Sequence, residues 1–156
     1  MPSAIDHLDA RIITSLREEP RIGVLELSRR LGVARGTVTA RLEKLQARGV
    51  VTGFGPDLDP AELGYPVLAF VFLEIVQGRL ADAVSDLREV PEVLEAHTTT
   101  GAGDMLVRIV ARSNSDLQRV IDRLLAADRV VRASTVIALD TQISPRVLPL
   151  VRAALD

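Results

Sequence analysis

The second half of the chain contains an internal repeat, which constrains the fold more than any other feature of the sequence. The first copy has two runs rich in β-branched and apolar residues, VLAFVFLEIV (67–76) and PEVLEAHTT (91–99), which predict strands. At an offset of 37 residues, DRVVRASTV (128–136) corresponds to PEVLEAHTT, and we expect this strand to continue through Leu139. MLVRIVA (105–111) is the remaining strand of the second copy. The repeat therefore predicts a four-stranded sheet.

An amphipathic helix is predicted between the strands of each copy. Apolar residues recur at helical spacing from Leu80 to Leu87 and again from Leu117 to Leu125. The order β-α-β-β-α-β is that of the ferredoxin-like fold, an antiparallel sheet with both helices on one face. The run at 67–76 is apolar at nearly every position, which indicates that the open face of the sheet is a subunit interface.

Three further helices are predicted in the first fifty residues. The first has an apolar stripe over residues 5–16, and the second and third cover 24–31 and 35–48. Gly32 opens a tight turn between the second and third, and Gly49 ends the third as a C-cap would. Two short helices joined by a turn that contains glycine are typical of a helix-turn-helix.

The third predicted helix has one apolar side and one basic flank. Its apolar residues Val38, Leu42 and Leu45 recur at helical spacing and are expected to face a core. Hydroxyl and basic side chains lie along the neighbouring flank: Thr37, Arg41, Lys44 and Arg48. This flank is compatible with a solvated surface as well as with a nucleic-acid contact.

The distribution of charge favours the nucleic-acid interpretation. The formal net charge of the chain is −2, but residues 1–50 carry nine basic and six acidic side chains, whereas residues 51–156 carry ten and fifteen. A basic segment attached to an acidic one fits a local attraction to phosphate.

Composition excludes several other classes of protein. No apolar run reaches the roughly 18 residues of a membrane span, and the N-terminus lacks the pattern of a signal peptide. There is no cysteine, so disulfides and thiolate metal sites are excluded. No acidic pair at ligand spacing accompanies His7 or His97, and nothing pairs a serine with a histidine. We therefore expect a cytoplasmic protein, nucleoid-associated if its basic segment binds DNA, that is not an enzyme and has no metal or cofactor.

Several stretches together resemble the Lrp/AsnC (feast/famine) transcriptional regulators. LDARIITSLREEPRIGVLELSRRLGVARGTVTARLEKLQARGVVTGF resembles their winged helix-turn-helix, and LDPAELGYPVLAFVFLEI resembles their linker and first sheet strand. The repeat at 67–140 is similar to their amino-acid-sensing RAM domain and includes a TGxxD turn, Thr100 to Asp104. The resemblance implies an α+β chain with a winged helix-turn-helix at 1–52, a wing and linker at 53–65 and a RAM domain at 66–156.

The third helix is predicted to contact DNA. The N-terminal residues of a recognition helix face base edges in the major groove, and basic residues further along or on the preceding helix neutralise phosphates. Among the candidates for base contact at the start of the helix, only Arg35 can donate two hydrogen bonds to guanine, so we expect modest sequence specificity. The candidate DNA-binding residues are Arg29, Arg30, Arg35, Gly36, Thr37, Ala40, Arg41, Lys44 and Arg48.

The TGxxD turn has a structural and a ligand-binding interpretation. A GxGxxG nucleotide loop is excluded, because Leu106 stands where its last glycine would be. A hairpin whose glycines supply positive φ remains open. The resemblance implies instead that backbone N–H groups hold an amino-acid carboxylate, that Asp104 accepts from its ammonium group, and that the pocket forms between dimers. The implied effector residues are Thr98, Thr100, Gly101, Ala102, Gly103, Asp104, Ser134, Thr135, Val136 and Ile137.

Two positions depart from the pattern of the family. The residue that opens the recognition helix is usually serine, and here it is Ala34, which removes a side-chain cap. An aromatic residue often follows or lies within the TGxxD turn, whereas here Ala102, Gly103 and Met105 occupy those places. The family's usual effector preference does not transfer directly.

The leading hypothesis is a homodimeric regulator that assembles further, to an octamer, and whose DNA binding or assembly responds to an amino acid. A nucleoid-organising protein with little ligand response is the alternative. A ferredoxin-like enzyme, or an oligomerising sensor with a vestigial helix-turn-helix, is a third.

Overall fold

The computed structural model describes residues 5–126 and 128–155, which fold into two compact units. One unit contains the described residues up to Asp57 together with those from Ile143 onward, and the other spans Leu58–Gln142. The helices and strands, in chain order, are α1 (His7–Glu18), α2 (Val24–Leu31), α3 (Arg35–Ala47), β1 (Val67–Ile75), α4 (Leu80–Arg88), β2 (Val93–Thr98), β3 (Met105–Ala111), α5 (Asn114–Leu125), β4 (Val130–Ile137) and α6 (Leu148–Ala153).

The helix-turn-helix of the first unit agrees with the sequence prediction. Gly32 ends α2 with φ of +70°, a conformation that glycine adopts without strain, and so turns the chain into α3. The buried side chains of Ile12, Leu27, Val38 and Leu45 form the core between the three helices. The predicted apolar side of α3 is therefore confirmed.

The wing expected after α3 does not form paired strands. Residues 51–66 are all described and contain no strand. Glycines at 53 and 55 and prolines at 56 and 60 interrupt this stretch, and proline has no N–H to donate to a ladder.

The second unit is a four-stranded antiparallel sheet in the order β2-β3-β1-β4. In the register of the sheet, Phe72 of β1 is opposite Leu106 of β3 along one edge of β1 and opposite Ser134 of β4 along the other. The predicted β-α-β-β-α-β order is confirmed, although β4 ends at Ile137 rather than at Leu139.

One face of this sheet packs against α4 and α5. Val71, Leu73, Val107 and Ile109 are fully buried on that face and contact helix residues such as Leu87 and Val120 within one cluster. Because side chains alternate along a strand, the intervening residues Phe70, Phe72 and Leu106 lie on the open face.

The C-terminal segment belongs to a different unit from the one that the sequence suggested. The RAM domain was expected to run through residue 156, but its compact unit ends at Gln142. The half-buried Val151 and Leu155 pack against the core cluster that contains Ile12, and α6 lies against α1. This apolar contact places the segment from Ile143 onward with the helix-turn-helix.

No helix among the described residues has the length and apolar character needed to cross a membrane.

We expect Val151→Asp to destabilise the first unit. The substitution places a carboxylate in an apolar contact with α1, and a loss of about 1–3 kcal/mol is typical of such changes. Hydrogen exchange at the α1 amides, followed by mass spectrometry, measures the effect. Leu150→Asp on the same helix is the control, because Leu150 is 67% exposed. Equal exchange rates in the two variants would contradict the packing.

Candidate functional site

Helix α3 presents an exposed surface with basic side chains. Arg35, Gly36, Thr37, Ala40 and Lys44 are all exposed. No side chain caps the start of this helix, because Ala34 has no hydrogen-bonding group to offer. Free backbone N–H groups and the positive end of the helix dipole therefore add to the attraction for an anion.

Arg41, in contrast, is already paired within the unit. Its Nη1 donates to Asp6 and lies 3.2 Å from Oδ1 of the buried Asp9. Asp6 and Asp9 also form a capping box at the start of α1, in which each side chain accepts from the other's backbone N–H. Arg41 thus fastens α3 to the first turn of α1.

The hydrogen bond from the Asp9 backbone N–H and the Arg41 guanidinium hold the pKa of Asp6 below its ordinary value of 3.8. The ionised carboxylate is therefore the form that the folded unit favours.

The remaining candidate basic residues differ in their surroundings. Arg30 lies 2.5 Å from the carboxylate of Glu19, and Arg29 lies 3.8 Å from that of Glu26. Within the part of the chain that the structure describes, neither Arg35 nor Lys44 forms an ion pair. Arg48 is exposed at the end of α3. Arg35 and Lys44 are therefore the basic side chains that need not leave a partner to contact an anion.

The TGxxD turn between β2 and β3 crosses over the end of β1. The Asp104 backbone N–H donates to the Leu73 carbonyl at 2.9 Å, and the Thr99 hydroxyl donates to the Gly103 carbonyl at 2.9 Å. A Cβ at residue 103 would meet that Leu73 oxygen at 3.0 Å, so this approach favours glycine. Positive φ was expected at both Gly101 and Gly103. It is found at Gly101, with +115°, but not at Gly103.

The Asp104 side chain has a structural partner that the sequence did not reveal. Its Oδ2 accepts from the Ile75 backbone N–H at 2.7 Å. The pairing of β1 with β4 shifts register between Glu74 and Ile75, and such a bulge leaves a backbone group in need of a partner. Asp104 thus joins the turn to the end of β1.

The four predicted effector residues on β4 do not share one face. Ser134 and Val136 pair with Phe72 and Phe70 on the open face, whereas Thr135 and Ile137 point the other way. Ile137 is opposite Ala69, while the β4 residue opposite Ile75, where the turn attaches, is Val130. Within one copy, Ile137 and the attachment point of the turn therefore lie at opposite ends of β1.

The open face of the sheet is apolar in its centre and charged toward one edge. Phe70, Phe72 and Leu106 lie together on it, and the adjacent Val136 is 56% exposed. Near the edge, Arg108 donates to Glu95 at 2.7 Å and thereby lowers the pKa of Glu95. This face has the composition of a protein interface.

The sequence reasoning missed the pairing of Arg41 and the support of Asp104. The first had a local signal, since Asp6 and Asp9 have capping-box spacing just before an apolar helix. The second had none, because Ile75 is 29 residues from Asp104 and the contact depends on a strand bulge.

Two family models match this chain. A model of winged helix-turn-helix DNA-binding domains matches residues 5–52, and a model of the Lrp/AsnC ligand binding domain matches residues 68–148. The two matches cover the helix-turn-helix and the sheet with its helices.

Characterised relatives align over nearly the whole chain. The HTH-type transcriptional regulator FL11 of Pyrococcus horikoshii is 32% identical, over 94% of this chain and 97% of its own length. The structure of Escherichia coli AsnC has a TM-score of 0.86 at 31% identity and covers 93% of this chain and 99% of AsnC. A transcriptional regulator from Neisseria meningitidis, solved as a complex with L-Met, has a TM-score of 0.78 at 27% identity, over 90% of this chain and 94% of its own.

We expect Asp6→Asn to weaken the dependence of stability on acid. Because the folded-state pKa of Asp6 is lowered, its ionised form stabilises the unit above the unfolded-state pKa, and this contribution disappears as pH falls through the folded-state pKa. Asparagine still caps the helix but does not titrate. Urea unfolding followed by circular dichroism between about pH 5 and pH 2 measures the slope. The exposed Glu43→Gln is the control, and an unchanged slope in Asp6→Asn would contradict the assignment.

Proposed function

This chain belongs to the Lrp/AsnC family of transcriptional regulators, and we propose that it binds double-stranded DNA with α3 and responds to an amino acid at the TGxxD turn. The observation that carries the DNA proposal is the exposed flank of α3, on which Arg35 and Lys44 form no ion pair among the described residues. The relative FL11 is an HTH-type transcriptional regulator and Escherichia coli AsnC is a regulatory protein, which supports the same proposal.

Arg35 and Lys44 have different roles in this proposal. Arg35 is in the first turn of α3, where a recognition helix meets base edges, and its guanidinium can donate two hydrogen bonds to guanine. Lys44 is further along the helix and neutralises a phosphate. Thr37 supports this contact, while Gly36 and Ala40 permit close approach to the groove.

Arg41 is assigned to the protein rather than to the DNA. A phosphate contact would require it to leave Asp6 and Asp9, and Asp9 would then be a buried carboxylate without its counter-charge. Arg29, Arg30 and Arg48 remain secondary candidates for backbone contacts.

Two copies of the chain pair through the open sheet face in this proposal. Burying Phe70, Phe72 and Val136 against a second copy removes apolar area from water, and the charged edge around Glu95 and Arg108 forms a polar rim. The two α3 helices then enter successive major grooves, about 34 Å apart. Further assembly of dimers, to an octamer, brings turns from different dimers together.

The amino acid is proposed to bind where such turns meet. Gly101 and Ala102 expose backbone N–H groups that can hold a carboxylate, and Asp104 has a second carboxylate oxygen beside the one that accepts from Ile75. The L-Met complex of the Neisseria relative supports an amino-acid ligand. The ligand acts only if it binds one assembly more tightly than another.

We expect Lys44→Met to weaken DNA binding uniformly and Arg35→Ala to change sequence preference. Losing one phosphate contact reduces the slope of log K against log salt concentration by about 1, whereas losing a bidentate base contact relaxes discrimination at one position by about 1–3 kcal/mol. Fluorescence anisotropy with duplexes selected from a random library by the wild-type protein measures both effects.

Glu43→Gln on the same helix is the control for that titration. A salt dependence that Lys44→Met leaves unchanged would contradict its phosphate contact. Equal binding of all duplexes by the wild-type protein would instead favour the nucleoid-organising alternative, which is supported by the presence of one bidentate donor, Arg35, in the first turn of α3.

We expect Asp104→Ala and Asp104→Asn to separate two roles of one side chain. Both remove the charge that would attract an ammonium group, but only asparagine keeps an oxygen that can accept from Ile75. If Asp104 binds the ligand directly, both variants lose the effect of L-methionine on DNA affinity. If it acts only by supporting the strand, Asp104→Asn retains that effect, which would overturn the ammonium assignment. Hydrogen exchange at the Ile75 amide in Asp104→Asn checks that the hydrogen bond from Ile75 to residue 104 is retained.

A further inference from the structure

His97 lies on the open face of the sheet, beside a carboxylate that already has a partner. It is opposite Leu106 in the pairing of β2 with β3, and Leu106 belongs to the open face. The His97 Nε2 lies 3.5 Å from one oxygen of Glu95, while the other oxygen of Glu95 accepts from Arg108 at 2.7 Å. In a single copy of the chain the His97 side chain is 64% exposed. Pairing of two copies through this face would cover it.

Histidine is rare in this chain, so few side chains can change their charge near neutral pH. The sequence contains two histidines, His7 and His97, and no cysteine. Imidazole is the side-chain group that ordinarily gains its proton between about pH 5 and pH 8. His7 is in α1 of the first unit. A change of side-chain charge on the open face in this pH range therefore depends on His97.

The carboxylates that share the open face with His97 are each paired with an arginine. Arg108 of β3 holds the pKa of Glu95 below its ordinary value of 4.5, so Glu95 stays ionised above about pH 5. Toward the opposite edge, Glu74 of β1 lies two residues after Phe72 and therefore on the same face. Its register partner on β4 is Arg132, whose Nη1 lies 4.0 Å from the Glu74 Oε1. Each pair is neutral as a whole.

The TGxxD turn adds one more carboxylate in the neighbourhood of His97. The Thr99 backbone N–H donates to the Asp104 carbonyl at 2.9 Å, which places Asp104 next to the chain that leaves β2. The Asp104 carboxylate, however, accepts from the Ile75 backbone N–H at 2.7 Å. In residues 5–126 and 128–155, which the structure describes, it forms no ion pair. Asp104 is thus directed at the end of β1 and not at His97.

We propose that His97 makes the pairing of two copies sensitive to acid, so that the copies separate as pH falls from about 7.5 to 5.5. The inference rests on the pairing through the open face that is part of the proposed function. Glu95 and Arg108 together carry no net charge, so a proton on His97 adds one uncompensated positive charge to each copy. Because the partner is an identical chain, it brings the same additional charge and the same neutral pairs.

Covering the open face removes water from this charge without supplying a counter-charge, which costs free energy. The separated copies therefore bind the proton on His97 more readily than the paired copies do. By linkage, lowering the pH favours whichever state binds more protons. Acid therefore favours the separated copies, and neutral pH favours the pair.

Separation of the copies would also weaken the binding of DNA. In a pair, binding of one α3 helix holds the second near its half-site, so the two contacts reinforce each other. A separated copy contacts DNA through one α3 helix only. His97 would thus couple the affinity for DNA to pH, although it belongs to the sheet and not to the helix-turn-helix.

Sedimentation velocity of the full chain, over a dilution series at about pH 7.5 and about pH 5.5, tests the proposal. We expect the dissociation constant of the wild-type pair to be at least about tenfold higher at the lower pH. His97→Gln, which stays neutral, should remove this difference. His97→Lys, which stays charged, should show the weaker pairing at both pH values. His7→Gln is the matched control, since it removes the other imidazole and leaves the open face unchanged.

The inference and the proposed function fail in different ways. Equal dissociation constants of the wild-type pair at the two pH values would overturn the role of His97, as would a pH dependence that His97→Gln retains. A chain that is monomeric at both pH values, or a pair that Phe72→Asp does not weaken, would contradict the pairing through the open face and the inference with it. The tests of Lys44 and Asp104, performed at the higher pH, do not depend on His97.

Discussion

The second unit depends on strand β1, because this strand is hydrogen-bonded along both edges. β3 pairs with one edge and β4 with the other, so every strand is held to β1 directly or through β3. Ala69, Val71 and Leu73 are fully buried on its helix side, and Leu73 and Ile75 near its end form hydrogen bonds with the TGxxD turn. Val76, just beyond the strand, donates to the Arg129 carbonyl before β4. A displacement at the end of β1 therefore acts on the turn and the last strand together.

In the first unit, electrostatics divides the basic residues of α3 into two groups. Arg41 is held by two carboxylates, one of them buried, and its charge is largely neutralised within the protein. Arg35 and Lys44 form no ion pair among the residues that the structure describes, so their charge remains available to attract phosphate over a Debye length of about 10 Å. The same helix thus provides an ion pair that holds it to α1 and exposed positive charges that face solvent.

The secondary structure was largely predictable from the sequence, because the spacing of apolar residues and the glycines and prolines that end an element are local properties. The apolar stripe of α3, the glycine that ends α2 and the repeated β-α-β order all appear in the structure. Contacts distant in sequence were not predictable. In the sequence, Arg41 and Lys44 both belong to the basic flank of α3. Only the packing of α1 against α3 distinguishes them, because it gives Arg41 a carboxylate partner. Likewise, Asp104 appeared free until the register shift at Ile75 gave it a partner.

The first unit is discontinuous in sequence, since the residues that pack on α1 from α6 onward follow the whole of the sheet. During synthesis, at about 5–20 residues per second, the helix-turn-helix emerges several seconds before the segment that completes its core. The nascent chain therefore holds an unfinished DNA-binding unit while the sheet is being made. A chain released before that point would carry a helix-turn-helix without the apolar contacts of Val151 and Leu155.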